Sequence, residues 1–217
     1  MLLDADPEGR DAPLPKSEAR LVALSSAIAA GDPDPIATSV KMALRGGAAR
    51  EEVYEALLQS YLFLGFPRAI EAFFAAGPVL RKHKAVPPPA GPVDPAGWVQ
   101  AGEALCHRVY GRNYGKLVET MGELSPDLAS WMILEGYGKV LSRRGLSAAL
   151  REYCVVAMLT TTRMWRQLRS HAIGAVNVGG TRARVRESIA LCAPTAGAAT
   201  VSEALRVAGL ESQDARG

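Results

Sequence analysis

One carboxylate and one imidazole in the C-terminal half of this 217-residue sequence have the types and the spacing for acid/base chemistry. Glu152 is the one charge on the apolar face of a predicted helix over 147–160. His171 lies among apolar residues of a second predicted helix over 165–178. If the two helices form an antiparallel hairpin that turns near 161–162, both residues are about equally far from the turn. The sequence therefore predicts that their side chains meet.

A carboxylate that faces an imidazole between two helices has two interpretations. In the structural one, each group satisfies the hydrogen-bonding demand of the other inside the protein. In the functional one, partial burial and mutual charge bring both groups towards neutral pH, where an acid/base pair works best. A cavity beside the pair favours the functional interpretation.

The elements that position this pair are all predicted to be helices, because no stretch alternates like a strand and long periodic segments are separated by short Gly and Pro breaks. The sequence thus predicts an all-α fold. We divide it into a flexible arm (1–16), a first repeat (17–84), a proline-rich linker (85–95) and a second repeat (96–217) that carries the candidate site.

The two repeats are predicted from internal similarity at an offset of 132 residues. Residues 39–58 and 171–190 share five identities in twenty: Ala43/Ala175, Gly47/Gly179, Arg50/Arg182, Val53/Val185 and Glu55/Glu187. The alternative is a coincidence between two ordinary helix-glycine-helix hairpins. At this offset Arg20 corresponds to Glu152 and Ser39 to His171, so the first repeat is predicted to be degenerate and to complete a pseudo-dimer.

Several motifs occur in a recognisable order, although none of them is diagnostic alone. They are Leu124-Ser-Pro-Asp-Leu-Ala, Tyr137-Gly-Lys-Val-Leu, Leu146-Ser-x3-Arg-Glu152 and Gln167-Leu-Arg-Ser-His171-x3-Ala175-x3-Gly179, with a weaker match at Ala43-x3-Gly47-x2-Arg-Glu-Glu-Val-Tyr-Glu-Ala-Leu-Leu-Gln59 and Gly65-Phe-Pro67. Together they resemble the carboxymuconolactone decarboxylase family, within the wider alkylhydroperoxidase-D-like superfamily.

The resemblance implies a cofactor-free, all-helical fold assembled as trimers or hexamers. It also implies that a glutamate and a histidine nineteen residues apart belong to the active site, as Glu152 and His171 are. The peroxidase branch needs two cysteines seven and four positions before the histidine. Those positions hold Met164 and Gln167 here, so a dithiol mechanism is not available.

The resulting functional prediction is acid/base chemistry on a small carboxylated lactone or ring-cleavage acid. Glu152 and His171 would be catalytic, and Arg163 and Gln167 would bind substrate. One alternative is a non-catalytic helical oligomer or binding protein. Another is an alkylhydroperoxidase-like (peroxiredoxin-type) redox protein that uses Cys154. We expect a homo-oligomer, a trimer of two-repeat chains.

The amino-acid composition bears on several further classes of protein: disulfide-rich and metal proteins, nucleic-acid binders and membrane proteins. Three cysteines without a C-x-x-C pair indicate neither a disulfide framework nor a cysteine zinc site, and we expect no metal or other cofactor. The net charge of +3 is too small to indicate nucleic-acid binding. Uncharged apolar runs are shorter than the ~20 residues of a membrane span, so we expect a cytoplasmic protein with no membrane partner. Nine arginines and two acids between 143 and 187 would either attract carboxylates or form a solvated face.

Overall fold

The computed structural model of the protein describes residues 12–83 and 91–211. Within these ranges the chain is helical and has no strand, which confirms the all-α prediction. Most of the predicted arm (1–11) and of the linker (85–90) lies outside the described residues. The helices are α1 (Lys16–Ala30), α2 (Pro33–Arg45), α3 (Arg50–Lys82), α4 (Pro95–Tyr110), a 3₁₀ turn (Gly111–Asn113), α5 (Tyr114–Leu124), α6 (Pro126–Trp131), a π-helix (Met132–Leu141), α7 (Ala148–Thr161), α8 (Trp165–Asn177), α9 (Arg182–Ala190), α10 (Ala193–Ala196) and α11 (Ala198–Val207).

The helices repeat at the offset that the sequence predicts. Helices α1, α2 and α3 begin at 16, 33 and 50, and α7, α8 and α9 begin at 148, 165 and 182. The turns correspond as well, since Gly47 and Gly179 have φ of 96° and 100°. Gly65 breaks α3 with φ 79° and ψ 162°, and Gly197 precedes α11 with φ 81° and ψ 156°. A backbone with positive φ, as at these four positions, strongly favours glycine. The chain is therefore built from two duplicated helical units.

The core lies where the first helices of the two units pack against each other. Every residue of α7 from Leu150 to Thr160 is buried, and α1 buries eight of its fifteen residues. A fully buried leucine or isoleucine side chain stabilises the fold by about 1.5–3 kcal/mol. Polar contacts join the same surfaces, because the Ser26 hydroxyl lies 2.8 Å from that of Thr161 and also contacts that of Thr195. Each repeat thus covers the apolar face of the other, as in a pseudo-dimer.

Corresponding glutamates tie each unit to the start of the other unit, either to its first helix or to the segment just before that helix. Glu55 in α3 accepts hydrogen bonds from the guanidinium groups of Arg143 and Arg151, both at 2.8 Å. Its counterpart Glu187 in α9 accepts the backbone N–H of Leu14 at 2.7 Å. Leu14 is buried, so this described end of the predicted arm is packed against the second unit.

A further helical layer lies between the two units in sequence and packs on the second unit and on α3 of the first. Helix α4 crosses the π-helix at Gly102 and Gly138, where an added Cβ would lie 2.1 Å from the Ile133 carbonyl oxygen and 1.9 Å from that of Trp98. These glycines allow the two backbones to touch. Helix α4 also packs against α8, which the sequence predicts to carry one half of the candidate pair.

Among the described residues, α3 has the length and composition of a membrane-spanning helix, with a mean hydropathy of 1.3. The sequence prediction considered only uncharged runs and did not identify it. Gly65 interrupts this helix, and Pro67 follows within the next turn. Each of the two parts, 50–64 and 66–82, is shorter than the ~20 residues that a span needs.

Candidate active site

Glu152 and His171 meet across the α7–α8 hairpin. Glu152 Oε2 lies 2.7 Å from His171 Nδ1, and the side chains are 4% and 5% exposed. A carboxylate only accepts hydrogen bonds, so in the tautomer that makes this contact with a carboxylate Nδ1 is the donor. This leaves Nε2 as the ring nitrogen that can exchange a proton with a ligand, and it has no hydrogen-bond partner among the described residues. The contact predicted from the hairpin spacing is confirmed.

Local sequence explains why the pair is held so closely. The Ser147 hydroxyl caps α7 by accepting the N–H of Leu150, which fixes the start of the helix one turn before Glu152. Gly174 lies one turn after His171, and a Cβ there would be 2.7 Å from Val109 Cγ1 of α4. Its absence lets α4 lie directly over the carboxylate.

A cavity of about 370 Å³ adjoins the imidazole. His171 and Gln167 contribute to its wall from α8, and the remaining lining is largely aromatic and aliphatic. The ring of Phe63 meets the imidazole edge-on, with 5.4 Å between the ring centroids. The other lining residues are Tyr61, Leu62, Phe66, Tyr110, Leu128, Trp131, Met132, Glu135, Gly136, Tyr137 and Leu141. The pair therefore has the adjoining space that the functional interpretation requires.

Two tyrosines complete the surroundings of the pair: Tyr110, which no motif included, and Tyr137, which the sequence placed in a family motif but not at the site. Burial raises the pKa of Tyr110, with the Tyr137 hydroxyl acting in the opposite direction. Burial, followed by the charge that Tyr110 would carry if ionised, raises the pKa of Tyr137 well above its ordinary value. Both are neutral hydroxyls at pH 7 and can donate hydrogen bonds near Glu152. Their separation in sequence from the α7–α8 hairpin left no local signal to find them.

The described cysteines are buried free thiols. Burial, and next the Glu152 carboxylate, raise the pKa of Cys106 to about 12. Burial raises the pKa of Cys154 to about 12 and that of Cys192 to about 11. A thiol is nucleophilic only as its thiolate, and burial disfavours that form in all three groups at neutral pH. This electrostatic environment opposes the redox alternative.

The structure separates the two residues predicted to bind substrate. Gln167 lines the cavity one helical turn before His171. Arg163 lies at the α7–α8 turn with φ 58°, and its guanidinium donates to the Thr200 hydroxyl of α11 at 3.1 Å. At this positive φ the chain leaves the helix, and the guanidinium lies against α11 rather than beside the pair. Arg163 is not among the residues that line the cavity.

Most of the nearby arginines also have structural partners. Arg143 and Arg151 bond to Glu55, and three more donate to backbone carbonyl oxygens: Arg182 to Gly209, Arg184 to Ala12 and Arg186 to Leu210. The basic stretch therefore serves mainly to join elements. No group of three or more His, Cys, Asp or Glu residues is arranged to hold a metal within the described ranges.

Comparison with known proteins agrees with this architecture. The sequence profile of the carboxymuconolactone decarboxylase family matches residues 5–77 and 126–209, one segment in each unit and more than half of the chain together. A relative in Schizosaccharomyces pombe, called peroxisomal protein 2, is 29% identical over 175 residues. That match covers 76% of this chain and 79% of the yeast protein.

Proposed function

Because this chain belongs to the carboxymuconolactone decarboxylase family, we propose that Glu152 and His171 perform cofactor-free acid/base chemistry on a small carboxylated lactone or a related ring-cleavage acid. The observation that supports this most is the placement of His171. Its Nδ1 is fixed by Glu152 at 2.7 Å while its ring lines a cavity of about 370 Å³.

The proposed reaction is a decarboxylation. The bond between the ring carbon and its carboxylate breaks, CO₂ leaves, and the bonding electron pair stays on the substrate. Protonated His171 delivers the proton that this carbon needs from Nε2, and solvent restores it. Glu152 orients the imidazole and stabilises its positive charge, as a carboxylate does for a catalytic histidine.

The apolar walls of the cavity would assist the same step. A carboxylate held against Phe63 and Trp131 is less well hydrated than in water, whereas the products CO₂ and a protonated carbon lose nothing there. Gln167 can donate an amide hydrogen bond to a second oxygen function and so orient the substrate.

The decisive experiment compares His171→Gln with Ser39→Gln, the same change at the corresponding position of the first repeat. With carboxymuconolactone as the first substrate, we expect His171→Gln to lower CO₂ release by about 10²–10⁴-fold, the usual contribution of a general acid. Thermal unfolding should change little in either variant, and Ser39→Gln should keep full activity. Equal turnover in wild type and His171→Gln would contradict the assignment.

The near-complete burial of both side chains also fits a structural pair in a non-catalytic protein. Replacement of Glu152 distinguishes a catalytic pair from a structural pair. If the pair is catalytic, Glu152→Gln should lose turnover and keep a folded, correctly assembled protein. If Glu152→Gln unfolds or dissociates while its folded fraction shows unchanged chemistry, the pair is architectural.

We further propose self-association into a trimer of two-repeat chains. The supporting observation is the exposure of large apolar side chains: Phe66 (62%) and Trp131 (61%) line the cavity, and Phe74 of α3 is 71% exposed. Large exposed apolar patches mark interaction surfaces. Light scattering of the purified protein tests the mass of the assembly directly.

We propose the cytoplasm as the compartment of this protein. Imaging of the tagged chain would distinguish the cytoplasm from the peroxisome, which the name of the yeast relative mentions.

A further inference from the structure

A second cavity, of about 330 Å³, lies beside the one at His171. Tyr110 and Gln167 belong to the walls of both cavities. Gln167 lies four residues before His171, so the two side chains share one face of α8. The two cavities therefore adjoin at Tyr110 and Gln167.

The second cavity separates α5 from α8. Helix α5 has no buried residue, and it directs Leu117 and Met121 towards the cavity. The opposite wall includes Ile173 of α8, which is 51% exposed. Helix α5 also lies outside both segments that match the family profile. This wall therefore lies in a part of the chain that the family profile does not match.

The cavity has positive charge and no matching negative charge. Lys116 contributes one cation from α5 and Arg166 another from α8, and no lining residue is acidic. Both side chains are exposed, and neither forms a salt bridge within the described part of the chain. Arg166 thus differs from Arg143 and Arg151, whose charges are compensated by Glu55. Apolar walls with two unpaired cations fit an amphipathic anion.

The spacing limits the length of that ligand. Arg166 precedes His171 by five residues in α8, which corresponds to ~7.5 Å along the helix axis. Five residues also correspond to ~140° around the helix, so this rise is a minimum, and a ligand with its reacting end at His171 needs a chain of at least about four or five carbon atoms to reach the cations.

We propose that Lys116 and Arg166 form an anion subsite, which binds the distal carboxylate of an elongated substrate whose reacting end lies at His171. This inference rests on the proposed function of His171 and extends it to the substrate class. The substrate is an amphipathic acid with a carboxylate remote from the group that reacts. Arg163, the cation that the sequence analysis predicts to bind substrate, donates to Thr200 and lines neither cavity.

Two probes that differ only in charge test the subsite by titration calorimetry: 5-phenylpentanoate and its primary amide. The variants are Lys116→Gln, Arg166→Gln and the double substitution. Arg169→Gln is the matched control, because it removes the same charge from an exposed position of α8 that lines neither cavity.

We expect the wild type to bind the acid more tightly than the amide. Each single variant should weaken binding of the acid by about three- to fivefold, the usual effect of an exposed ion pair, and leave the amide unchanged. Arg169→Gln should have no effect on either probe. Equal binding of acid and amide by the wild type, an equal loss for both probes, or the same loss in Arg169→Gln would overturn the subsite.

The same titrations in His171→Gln separate this inference from the proposed function. Discrimination between acid and amide should persist in that background, because the subsite does not include the imidazole. If His171→Gln keeps full turnover, the catalytic proposal fails while the binding result stands. If turnover is lost as expected and the charge discrimination is absent, only the subsite is wrong.

Discussion

The α1–α2 and α7–α8 hairpins have the same backbone plan and different chemistry. Their helices begin 132 residues apart, and each pair is followed by a glycine with φ close to 100°. At the corresponding positions one hairpin carries Arg20 and Ser39, both partly exposed, and the other carries the buried Glu152 and His171. The duplicated scaffold therefore accommodates either pair.

The two hairpins differ in the helices that pack on them. Helix α2 packs on α1 and α3 of its own unit, whereas α8 is also covered by α4. Phe63 of α3 and Tyr137 of the π-helix then enclose the space at His171. Placing an acid and an imidazole on a hairpin gives a contact, but a cavity at that contact depends on the layer formed by residues 95–141.

The largest stability effect should come from the glutamates that join the units. Glu55→Ala leaves the guanidinium of Arg151, 2% exposed, without its carboxylate, and such a loss costs about 3–5 kcal/mol. The corresponding Glu187→Ala removes one hydrogen bond to the Leu14 N–H and should cost about 0.5–1.5 kcal/mol. Urea unfolding of both variants measures the difference. Equal losses would show that the two contacts are equivalent in energy.

The next largest loss of stability is expected in the helical layer of residues 95–141, which covers the α7–α8 hairpin but not the α1–α2 hairpin. Gly102→Ala places a Cβ 2.1 Å from the Ile133 carbonyl oxygen, so α4 must move away from the π-helix at a cost of about 1–3 kcal/mol. Because α4 also covers Glu152, turnover should fall with stability. Gly122→Ala in the interior of α5 meets no atom within 4 Å and should stabilise the protein by up to ~1 kcal/mol. A Gly102→Ala variant as stable as wild type would show that the close crossing is unimportant.

The repeat and the acid/base contact could be predicted from the sequence because both depend on local geometry. Helical periodicity and glycine turns set the starts of α1, α2, α7 and α8, and a short hairpin fixes which residues face each other. The cavity could not be predicted in this way. Phe63, Tyr110 and Tyr137 reach it from three separate elements, and their approach depends on the close contact of α4 with the π-helix.

Arg163 shows a different limit of sequence reasoning. A cation near the hairpin turn was a reasonable ligand for a carboxylate, but charge alone does not give the direction of a side chain. Its backbone has φ 58°, and it corresponds at the 132-residue offset to Gly31, with φ 88°. The duplicated turn needs this conformation in both units, and the second unit adopts it without glycine.

The smallest expected effect is at this turn. A non-glycine residue in the left-handed region costs about 1–2 kcal/mol, which Arg163→Gly should relieve. The variant also loses the hydrogen bond to Thr200 and makes the unfolded chain more flexible, so we expect a net change within about 0.5 kcal/mol. Gly31→Ala has no such compensation, and its Cβ, 1.1 Å from Arg68 Nη1, must also displace that guanidinium, so it should cost at least about 1–2 kcal/mol. Thermal unfolding of the two variants compares the turns, and a loss above 2 kcal/mol in Arg163→Gly would mean that the contact with α11, rather than the backbone, sets the stability there.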